Sequence, residues 1–361
     1  MSTRIDRLRP VLDSLEIDAL LVTDEINVRY LSGFTGDSSY LLISDLRTQM
    51  LSDGRYAIQL ASECPGMETA IRPPSQMILD LVQDVLCNST YKRIGIEAGQ
   101  MTLGQYRQLC HKCPDVHWVE TQSVVESLRM VKDSEEIATI RKAVSIAERA
   151  FQSLIPMLSP KWSERAIAHE LEAKMRFLGA DAASFKPIVA FDAAGALPHY
   201  HPAEVFFPAS GTVLIDWGAN FEGYASDLTR TMTIGPISDT FKRAYQAVLE
   251  AQLAAIEAMK PGAHGKEIDR IARESLGKSG YGHLFNHGLG HGIGLQIHES
   301  PRMSASCEQT LTPGMIITVE PGVYLKDEFG IRIEDDILVT ESGCEVLSGL
   351  PKGLDDCRLV L

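Results

Sequence analysis

The sequence lacks any apolar run long enough to cross a bilayer, which takes about 20 consecutive apolar residues. It is also short of positive charge, since 34 lysines and arginines face 48 aspartates and glutamates for a formal net charge of −14. That balance argues against nucleic acid or an anionic membrane surface as a partner. Acidic residues interrupt the basic ones at the start of the chain, and no apolar segment with a small-residue cleavage site follows. We therefore expect a cytoplasmic protein.

Cysteine is scarce and irregularly spaced, with seven residues in a chain of 361. An odd, scattered number fits reduced thiols better than a disulfide framework. Cys110 and Cys113 have the spacing of a zinc-binding pair, but no second pair of cysteines or histidines completes a four-ligand site. The cysteines therefore predict neither a disulfide scaffold nor a structural zinc site.

The length of the chain is that of two domains. Residues 1–125 alternate short apolar runs, typical of buried strands, with segments typical of helices, and this predicts an α/β domain. Residues 126–361 are predicted to form a second domain of α+β type. Its first long helix is expected to start after Asp133, which with Glu136 has the spacing of a capping box.

The second domain contains a degenerate internal repeat of a long helix, a proline, a shorter helix, a glycine and then strands. At an offset of 101 residues, Pro160 matches Pro261 and Gly179 matches Gly280. Two halves related by a pseudo-twofold axis, with helices outside and sheet inside, would bring equivalent strands of both halves to one central site.

The segment GTVLIDWGANFEGYASDLTRTMTIG reads as a β-hairpin in which β-rich runs flank a turn at residues 220–223. A hairpin centred between Phe221 and Glu222 sets Asp216 directly opposite Asp227, because antiparallel partners have a constant sum of residue numbers. Directly opposed side chains have Cβ atoms ~4.5–5.5 Å apart. Two carboxylates at that separation repel each other unless a proton or a cation lies between them, so the pair indicates a metal.

A second hairpin repeats this arrangement in MIITVEPGVYLKDEFGIRIEDDILVT. Centring it on Asp327 sets Glu320 opposite Glu334. Between the two hairpins lies NHGLGHGIGLQIHESP, with His287, His291 and His298. Carboxylates with one or more imidazoles suit two divalent first-row ions better than a single zinc in a thiolate site. The alternative, that each acid is an ordinary hairpin residue, explains one residue well but not two matched pairs.

These motifs, together with SDLTRT, GHGIG, HESP, VEPGVY and GIRIEDD, resemble those of the metallopeptidase family with the pita-bread fold. That family includes methionine aminopeptidase, aminopeptidase P, prolidase and the metal-free creatinase. The resemblance is detailed over residues 125–345. It extends more loosely to NVRYLSGFTG and LSDGRY, which are similar to the creatinase-type N-terminal domain. It implies a creatinase-type α/β domain followed by a pita-bread catalytic domain with a pseudo-twofold internal repeat.

The resemblance also implies two divalent metal ions, with Mn²⁺ expected first and Co²⁺, Fe²⁺ or Zn²⁺ left open. Their ligands would be Asp216, Asp227, His291, Glu320 and Glu334. In such a site a hydroxide that bridges the two ions attacks the carbonyl before proline, and Glu320 is the expected group for proton transfer.

Three further side chains receive roles through the resemblance, and a fourth, Arg332, receives one because it alternates with Glu334 along a strand and would point the same way. His199, in the ALPH motif, and His298, in IHESP, would contact the substrate and stabilise the developing oxyanion. His287 would form a wall of the substrate pocket. Arg332 would orient a carboxylate or contact substrate, and a purely structural ion pair is an equal alternative. His201 is either part of the same loop or an exposed histidine.

The function implied is hydrolysis of the Xaa-Pro bond at peptide N-termini, as in an Xaa-Pro aminopeptidase acting on peptides with proline at the second position. The principal alternative is a prolidase, which is restricted to Xaa-Pro dipeptides. A non-peptidase hydrolase such as creatinase, or a protein-binding module that has lost activity, fits less well because all five ligand positions are filled. Methionine aminopeptidase fits less well because it has no such N-terminal domain. Relatives are often dimers, so we expect a homodimer.

Overall fold

The computed structural model describes residues 2–359, with side chains from residue 4. The chain forms two compact units, residues 1–129 and 130–361. Within the described residues, every helix is too short or too polar to span a lipid bilayer.

The first unit is an α/β arrangement around one six-stranded mixed sheet with the strand order β4-β3-β2-β1-β5-β6. Its strands are β1 (Ala19–Val22), β2 (Tyr40–Ser44), β3 (Thr48–Asp53), β4 (Glu68–Arg72), β5 (Arg93–Glu97) and β6 (His117–Thr121). Its helices are α1 (Ser2–Ser14), α2 (Glu25–Ser32), α3 (Ala57–Glu63), α4 (Ile78–Cys87), α5 (Leu103–Lys112) and α6 (Val124–Arg129). Helix α2, which the sequence pattern did not predict, is capped by Asp24 and ends at Gly33, whose φ is 77°.

The second unit carries four long helices, α7 (Ser134–Leu154), α8 (Glu164–Phe177), α9 (Asp239–Ala258) and α10 (Gly265–Lys278). The predicted capping box is present, because the side chain of Asp133 accepts from Glu136 N and the side chain of Glu136 accepts from Asp133 N. Helices α8 and α10 start and end 101 residues apart, and each is followed by a glycine with positive φ, Gly179 and Gly280. The internal repeat is thus present in the fold.

The strands of the second unit form two main sheets, with the orders β20-β12-β9-β8 and β14-β13-β15-β18-β19, and two small ones, β11-β10-β7 and β16-β17. In chain order they are β7 (Ala182–Ala183), β8 (Ile188–Phe191), β9 (Gly211–Trp217), β10 (Ala219–Phe221), β11 (Tyr224–Ala225), β12 (Leu228–Ile234), β13 (Gly290–Gly292), β14 (Glu299–Met303), β15 (Ile316–Val319), β16 (Gly322–Leu325), β17 (Phe329–Arg332), β18 (Asp335–Val339), β19 (Cys344–Val346) and β20 (Arg358–Leu359).

The predicted register of the first hairpin is wrong. Its two-residue turn lies at Glu222 and Gly223, which have φ values of 50° and 83°, as a type I′ turn requires. Asp216 therefore lies opposite Thr229, and Asp227 is its diagonal neighbour. The turn lies one residue further along the chain because Gly223 occupies a left-handed position of the turn rather than its end.

The second hairpin has the predicted register. Gly322 pairs with Arg332 and Val319 pairs with Asp335, so the sum of paired residue numbers is constant on both sides of Glu320 and Glu334. The two acids therefore lie opposite each other. An isolated bridge between Thr229 and Glu334 joins this hairpin to the first one.

Packing on the helix layer orients the acid of the first hairpin. The indole of Trp217 stacks on Phe151 of α7 with ring centroids 4.3 Å apart, and its Nε1 donates to Ala147 O at 3.0 Å. Because successive side chains of a strand point to opposite faces, burial of Trp217 against α7 turns Asp216 to the other face of β9.

Candidate metal centre

One cavity of about 560 Å³ collects the predicted site residues. All nine of them line it: His199, Asp216, Asp227, His287, His291, His298, Glu320, Arg332 and Glu334. They come from both hairpins, from the segment between the hairpins and from the segment that follows β8. All of them belong to the second unit.

Three of these side chains, Asp227, His291 and Glu334, form a tight cluster. Each offers one possible ligand atom, and these three atoms lie within 4.8 Å of one another. The Nε2 atom of His291 is 3.6 Å from Asp227 Oδ2 and 3.5 Å from Glu320 Oε1. The imidazole therefore points one nitrogen between carboxylates of the two hairpins.

The backbone around His291 sets the direction of its ring. Its Nδ1 is 3.1 Å from Gly292 O, which leaves Nε2 for the cavity. A Cβ atom on Gly290 would lie 2.0 Å from Thr318 O, and one on Gly292 would lie 2.2 Å from Ser300 O. Only glycine permits this close approach of the neighbouring strands, so the Gly-His-Gly sequence serves to bring His291 against β15 and β14.

The two glutamates are held through their backbones and through two threonines, of which Thr318 donates from Oγ1 to Glu320 Oε1 at 3.4 Å. Glu320 N donates to Leu289 O at 2.8 Å, and Glu334 N donates to Thr229 O at 3.1 Å. The hydroxyl of Thr229 also donates to Glu334 Oε2 at 2.6 Å. The first hairpin thus positions a carboxylate of the second.

Two buried carboxylate oxygens, Oδ1 of Asp216 and Oδ1 of Asp227, have no hydrogen-bond partner within the described residues. An unpaired buried carboxylate oxygen is costly. A bound cation would pair with these oxygens. The predicted ligands, four carboxylates and one imidazole, are donors that divalent cations prefer. The residues present therefore fit divalent metal ions.

The electrostatics of the cluster agree with this fit. Burial, with the nearby charges of Glu334 and Asp216, raises the pKa of Asp227 well above its usual value. Burial raises the pKa of Glu320 to about 8 and also raises that of Glu334. Burial lowers the pKa of His291 to about 4, so its imidazole is neutral near pH 7 and available as a ligand. A cation replaces the protons that these carboxyl groups otherwise hold.

The other histidines occupy distinct places. His287 uses both ring nitrogens, with Nε2 2.8 Å from Tyr324 OH and Nδ1 2.8 Å from Gly288 O. Burial lowers its pKa to about 4. The ring of His298 lies edge-on to that of His291, with centroids 4.4 Å apart. His199 and His201 are exposed at the cavity.

The sequence analysis missed Asp336. Its Oδ2 accepts from Asp227 N at 3.0 Å, its Oδ1 is buried without a partner in the described residues, and burial raises its pKa to about 8. Its neighbour Asp335 pairs instead with Arg230 at 2.7 Å. The signal was the run of three acids 334–336 in an apolar strand, where alternation puts Glu334 and Asp336 on one face.

The cavity also contains two cations that were not singled out, Lys186 and Arg302. Both are exposed, and neither forms an ion pair with an acidic side chain in the part of the chain that the structure describes. They leave positive charge at the cavity for an anionic group of a ligand.

Comparison with protein families gives two matches that together extend over most of the chain. The sequence model of metallopeptidase family M24 matches residues 138–341. That of the creatinase/prolidase N-terminal domain matches residues 4–131. The expected fold, a creatinase-type α/β domain followed by a pita-bread catalytic domain, is thereby confirmed.

Individual relatives are similar over nearly their whole length. An Xaa-Pro dipeptidase of Pyrococcus furiosus is 35% identical, over 96% of this chain and 98% of its own. The solved structure of an Xaa-Pro dipeptidase from Bacillus anthracis is 38% identical with a TM-score of 0.94, over 97% of this chain and 98% of that one. The solved structure of an X-Pro aminopeptidase from Thermotoga maritima is 36% identical with a TM-score of 0.89, over 97% and 99%.

Proposed function

The chain belongs to metallopeptidase family M24, and from this premise we propose that it hydrolyses the Xaa-Pro bond of dipeptides, as a prolidase does. That it is a metal-dependent peptidase follows from the family. The observation that carries the finer proposal is the cavity: the acid cluster and two cations, Lys186 and Arg302, line it together, and within the described residues neither cation pairs with an acidic side chain.

A free carboxylate next to the proline is what distinguishes a dipeptide from a longer peptide. Arg302 and Lys186 line the same cavity as the acid cluster and offer charge for that carboxylate. Two of the similar proteins described above are named as Xaa-Pro dipeptidases. The sequence favoured an aminopeptidase over a prolidase; that preference is not confirmed, and these observations support the reverse order.

Asp216, Asp227, His291, Glu320 and Glu334 would hold two divalent ions. Bound there, the ions would lower the pKa of a water molecule and polarise the carbonyl of the substrate. Mn²⁺ remains our first expectation, with Co²⁺, Fe²⁺ and Zn²⁺ as alternatives, because all four share these donor types.

The protein's own groups supply the rest of the reaction. The carboxylate of Glu320, which lines the cavity beside His291, would accept the proton of the attacking water. His199 and His298 line the cavity and stabilise the oxyanion that forms on the carbonyl. His287, fixed through Tyr324, forms the pocket wall, and Arg332 holds Asp216 in place.

The specificity for proline rests on the relatives rather than on the geometry. An Xaa-Pro bond joins a tertiary amide without an N–H group, so a peptidase that relies on that donor binds it poorly. A homodimer in the cytoplasm is part of this proposal, and its mass in solution tests the oligomeric state.

The second candidate is an Xaa-Pro aminopeptidase, which the similarity to the Thermotoga protein favours. Hydrolysis of Ala-Pro beside Ala-Pro-Ala and Met-Ala-Ser, with Mn²⁺ added and Asp227→Asn as the inactive control, decides between the two. Cleavage of Ala-Pro alone establishes the prolidase. Cleavage of Ala-Pro-Ala before proline establishes the aminopeptidase. Cleavage of Met-Ala-Ser alone overturns both.

A further inference from the structure

The segment that carries His199 is irregular. Strand β8 ends at Phe191, a short 3₁₀ helix covers Asp192–Ala196, and a turn follows that contains His199. The imidazole is exposed at the cavity, and its ring makes no hydrogen bond within the described residues. Its position therefore depends on whatever holds the backbone of this segment.

One carboxylate holds both ends of the segment. Glu164, the first residue of α8, is fully buried. Its Oε1 accepts from Phe191 N at 2.9 Å, and its Oε2 accepts from Tyr200 OH at 2.9 Å and from Ala203 N at 3.0 Å. Three donors on a buried carboxylate form a directional contact, because each bond to a charged acceptor is stronger than a neutral one.

Two further contacts fix the same segment. Arg165 N donates to Ala203 O at 3.2 Å, so the start of α8 also binds the far end of the segment through its backbone. In the middle, Gly195 lies against the backbone of Gly330, where a Cβ atom on Gly330 would lie 1.7 Å from Gly195 O. Gly330 belongs to β17, the strand that also carries Arg332.

Tyr200 is the member of this contact nearest to the histidine in sequence. Burial and the bond to Glu164 raise the pKa of Tyr200 to about 12, so its hydroxyl stays a donor throughout the range in which a peptidase works. Of the bonds that tie this segment to α8, the one from Tyr200 is therefore the one next to His199 in sequence.

We propose that Glu164 and Tyr200 are positioning residues that set His199 against the reacting carbonyl. This inference rests on the proposed function, in which His199 stabilises the oxyanion. A purely structural role is the competing explanation, since a buried, hydrogen-bonded carboxylate also stabilises the fold. The two explanations differ in whether the loss of Tyr200's hydroxyl acts through His199.

A double-mutant cycle separates them. Tyr200→Phe removes the hydroxyl and keeps the ring, and we expect kcat to fall roughly 10-fold with little change in KM, below the ~10²-fold that a misplacement of 1 Å can cost. In a His199→Ala background the same substitution should leave kcat unchanged, because there is no imidazole left to misplace. Equal effects of Tyr200→Phe in both backgrounds overturn the proposal, as does an unchanged kcat of Tyr200→Phe or of His199→Ala alone.

The matched control is Tyr224→Phe. The hydroxyl of Tyr224 donates to Glu136 Oε1 at 2.8 Å, which is also a tyrosine–glutamate bond to a buried acid in the same unit, but this segment carries no cavity histidine. Tyr224→Phe should change kcat by the same factor in the wild-type protein and in the His199→Ala variant, whatever the size of that factor. Coupling of Tyr224→Phe to His199 as strong as that of Tyr200→Phe would mean that the cycle reports general loosening, and it would overturn the proposal.

A second measurement does not depend on activity. In Glu164→Gln, the backbone amides of Phe191 and Ala203 should exchange hydrogen for deuterium faster than in the wild-type protein, while metal content is unchanged. Unchanged exchange overturns the proposed contact. The double-mutant cycle uses whichever peptide the wild-type protein cleaves. If the proposed substrate is wrong, the wild-type protein fails to cleave Ala-Pro; if the proposed positioning is wrong, only the kinetics of the variants disagree with the expectation.

Discussion

Arg332 donates from Nη2 to Oδ2 of Asp216 across 2.6 Å, and both side chains are buried. The same guanidinium donates from Nη1 to Tyr324 OH at 2.9 Å and from Nε to Thr229 Oγ1 at 3.2 Å. One oxygen of Asp216 is therefore held by a cation, and the other is left without a hydrogen bond within residues 4–359. The arginine fixes the carboxylate through one oxygen, and the other is the atom that would bind a metal in the proposed site.

Arg332→Met should destabilise the metal-free protein by ~3–5 kcal/mol, because the charge of Asp216 is left buried without its cation. Arg332→Lys keeps the charge but cannot serve all three acceptors at once, so it should recover only part of the stability. Urea unfolding of the metal-free wild-type protein and of both variants measures these changes in the free energy of unfolding.

Arg141→Met is the control, since the pair of Arg141 with Glu345 is exposed and should contribute less than ~1 kcal/mol. If Arg332→Met were as mild as the control, the buried pair would have no structural role.

Asp227→Asn should abolish binding of metal and hydrolysis together. Asparagine has the same size and keeps the backbone N–H that donates to Asp336, so the fold should persist while an anionic ligand is lost. Metal content after dialysis against Mn²⁺, with circular dichroism as the test of folding, checks this. The exposed Asp239→Asn is the control, and it should retain both metal and activity. Full metal content in a folded Asp227→Asn protein would contradict the assignment.

The stability of the metal-free protein should fall as the pH rises from about 6.5 to about 8, a range above the ordinary pKa of histidine in which the lowered pKa values of His287 and His291 no longer oppose the trend. The pKa of Glu320 is raised in the folded state from 4.5 to about 8, so over this range the folded protein keeps a proton that the unfolded chain has lost. The pKa values of Asp227 and Glu334 are also raised in the folded state. The stability that the protonated groups contribute is complete below the unfolded pKa and is lost above the folded one.

Saturating Mn²⁺ should cancel this trend, because the cation takes the place of the protons and binds more tightly as the pH rises. Thermal unfolding at several pH values, with and without Mn²⁺, measures the effect. A metal-free melting temperature that is constant or rises between pH 6.5 and 8 would contradict the raised pKa of Glu320.

Arg302→Ala should raise KM for Ala-Pro about 10-fold or more, because a charge-assisted contact to the free carboxylate is worth ~1.5–3 kcal/mol. The kcat should change less, since the carboxylate is a group that does not itself react and is bound in the ground state and the transition state alike. Arg302→Lys should recover part of the affinity. Steady-state kinetics on the dipeptide measure these effects.

Arg270→Ala, which removes an exposed arginine paired with Glu274 outside the cavity, is the control and should leave KM unchanged. A normal KM for Arg302→Ala would rule out this residue as the carboxylate anchor. Lys186 would then be the cation to test next.

Particular elements show how far the sequence could predict this site. The second hairpin was predicted in register, because its three-residue turn, residues 326–328, is symmetric about Asp327 and the apolar strands on either side leave no other alignment. The first hairpin was predicted two residues out of register, because Asn220–Gly223 contains two plausible turn centres and only the strand pairing chooses between them. The acids still share one cavity, since a shift of two residues preserves the face of the strand.

Alternation along the strand could place Asp336 on the face of Glu334, but the partner of its side chain could not be assigned from the sequence. Its contact is to a backbone N–H 109 residues away, and local periodicity contains no information about such a partner. The same holds for Thr229, which bonds Glu334 across 105 residues, and for Glu164, which bonds the segment of His199.

The sequence by itself determined the residue types of the site, the secondary structure around them and the side of each strand on which they lie, because these depend on propensity, capping and alternation along a short stretch of chain. Only the tertiary structure decided which oxygen of Asp216 is held and which has no hydrogen bond within the described residues, and what fixes the rings of His287 and His291. Those properties depend on long-range pairs such as Thr229 with Glu334 and Arg332 with Asp216, which exist only when both hairpins pack against each other.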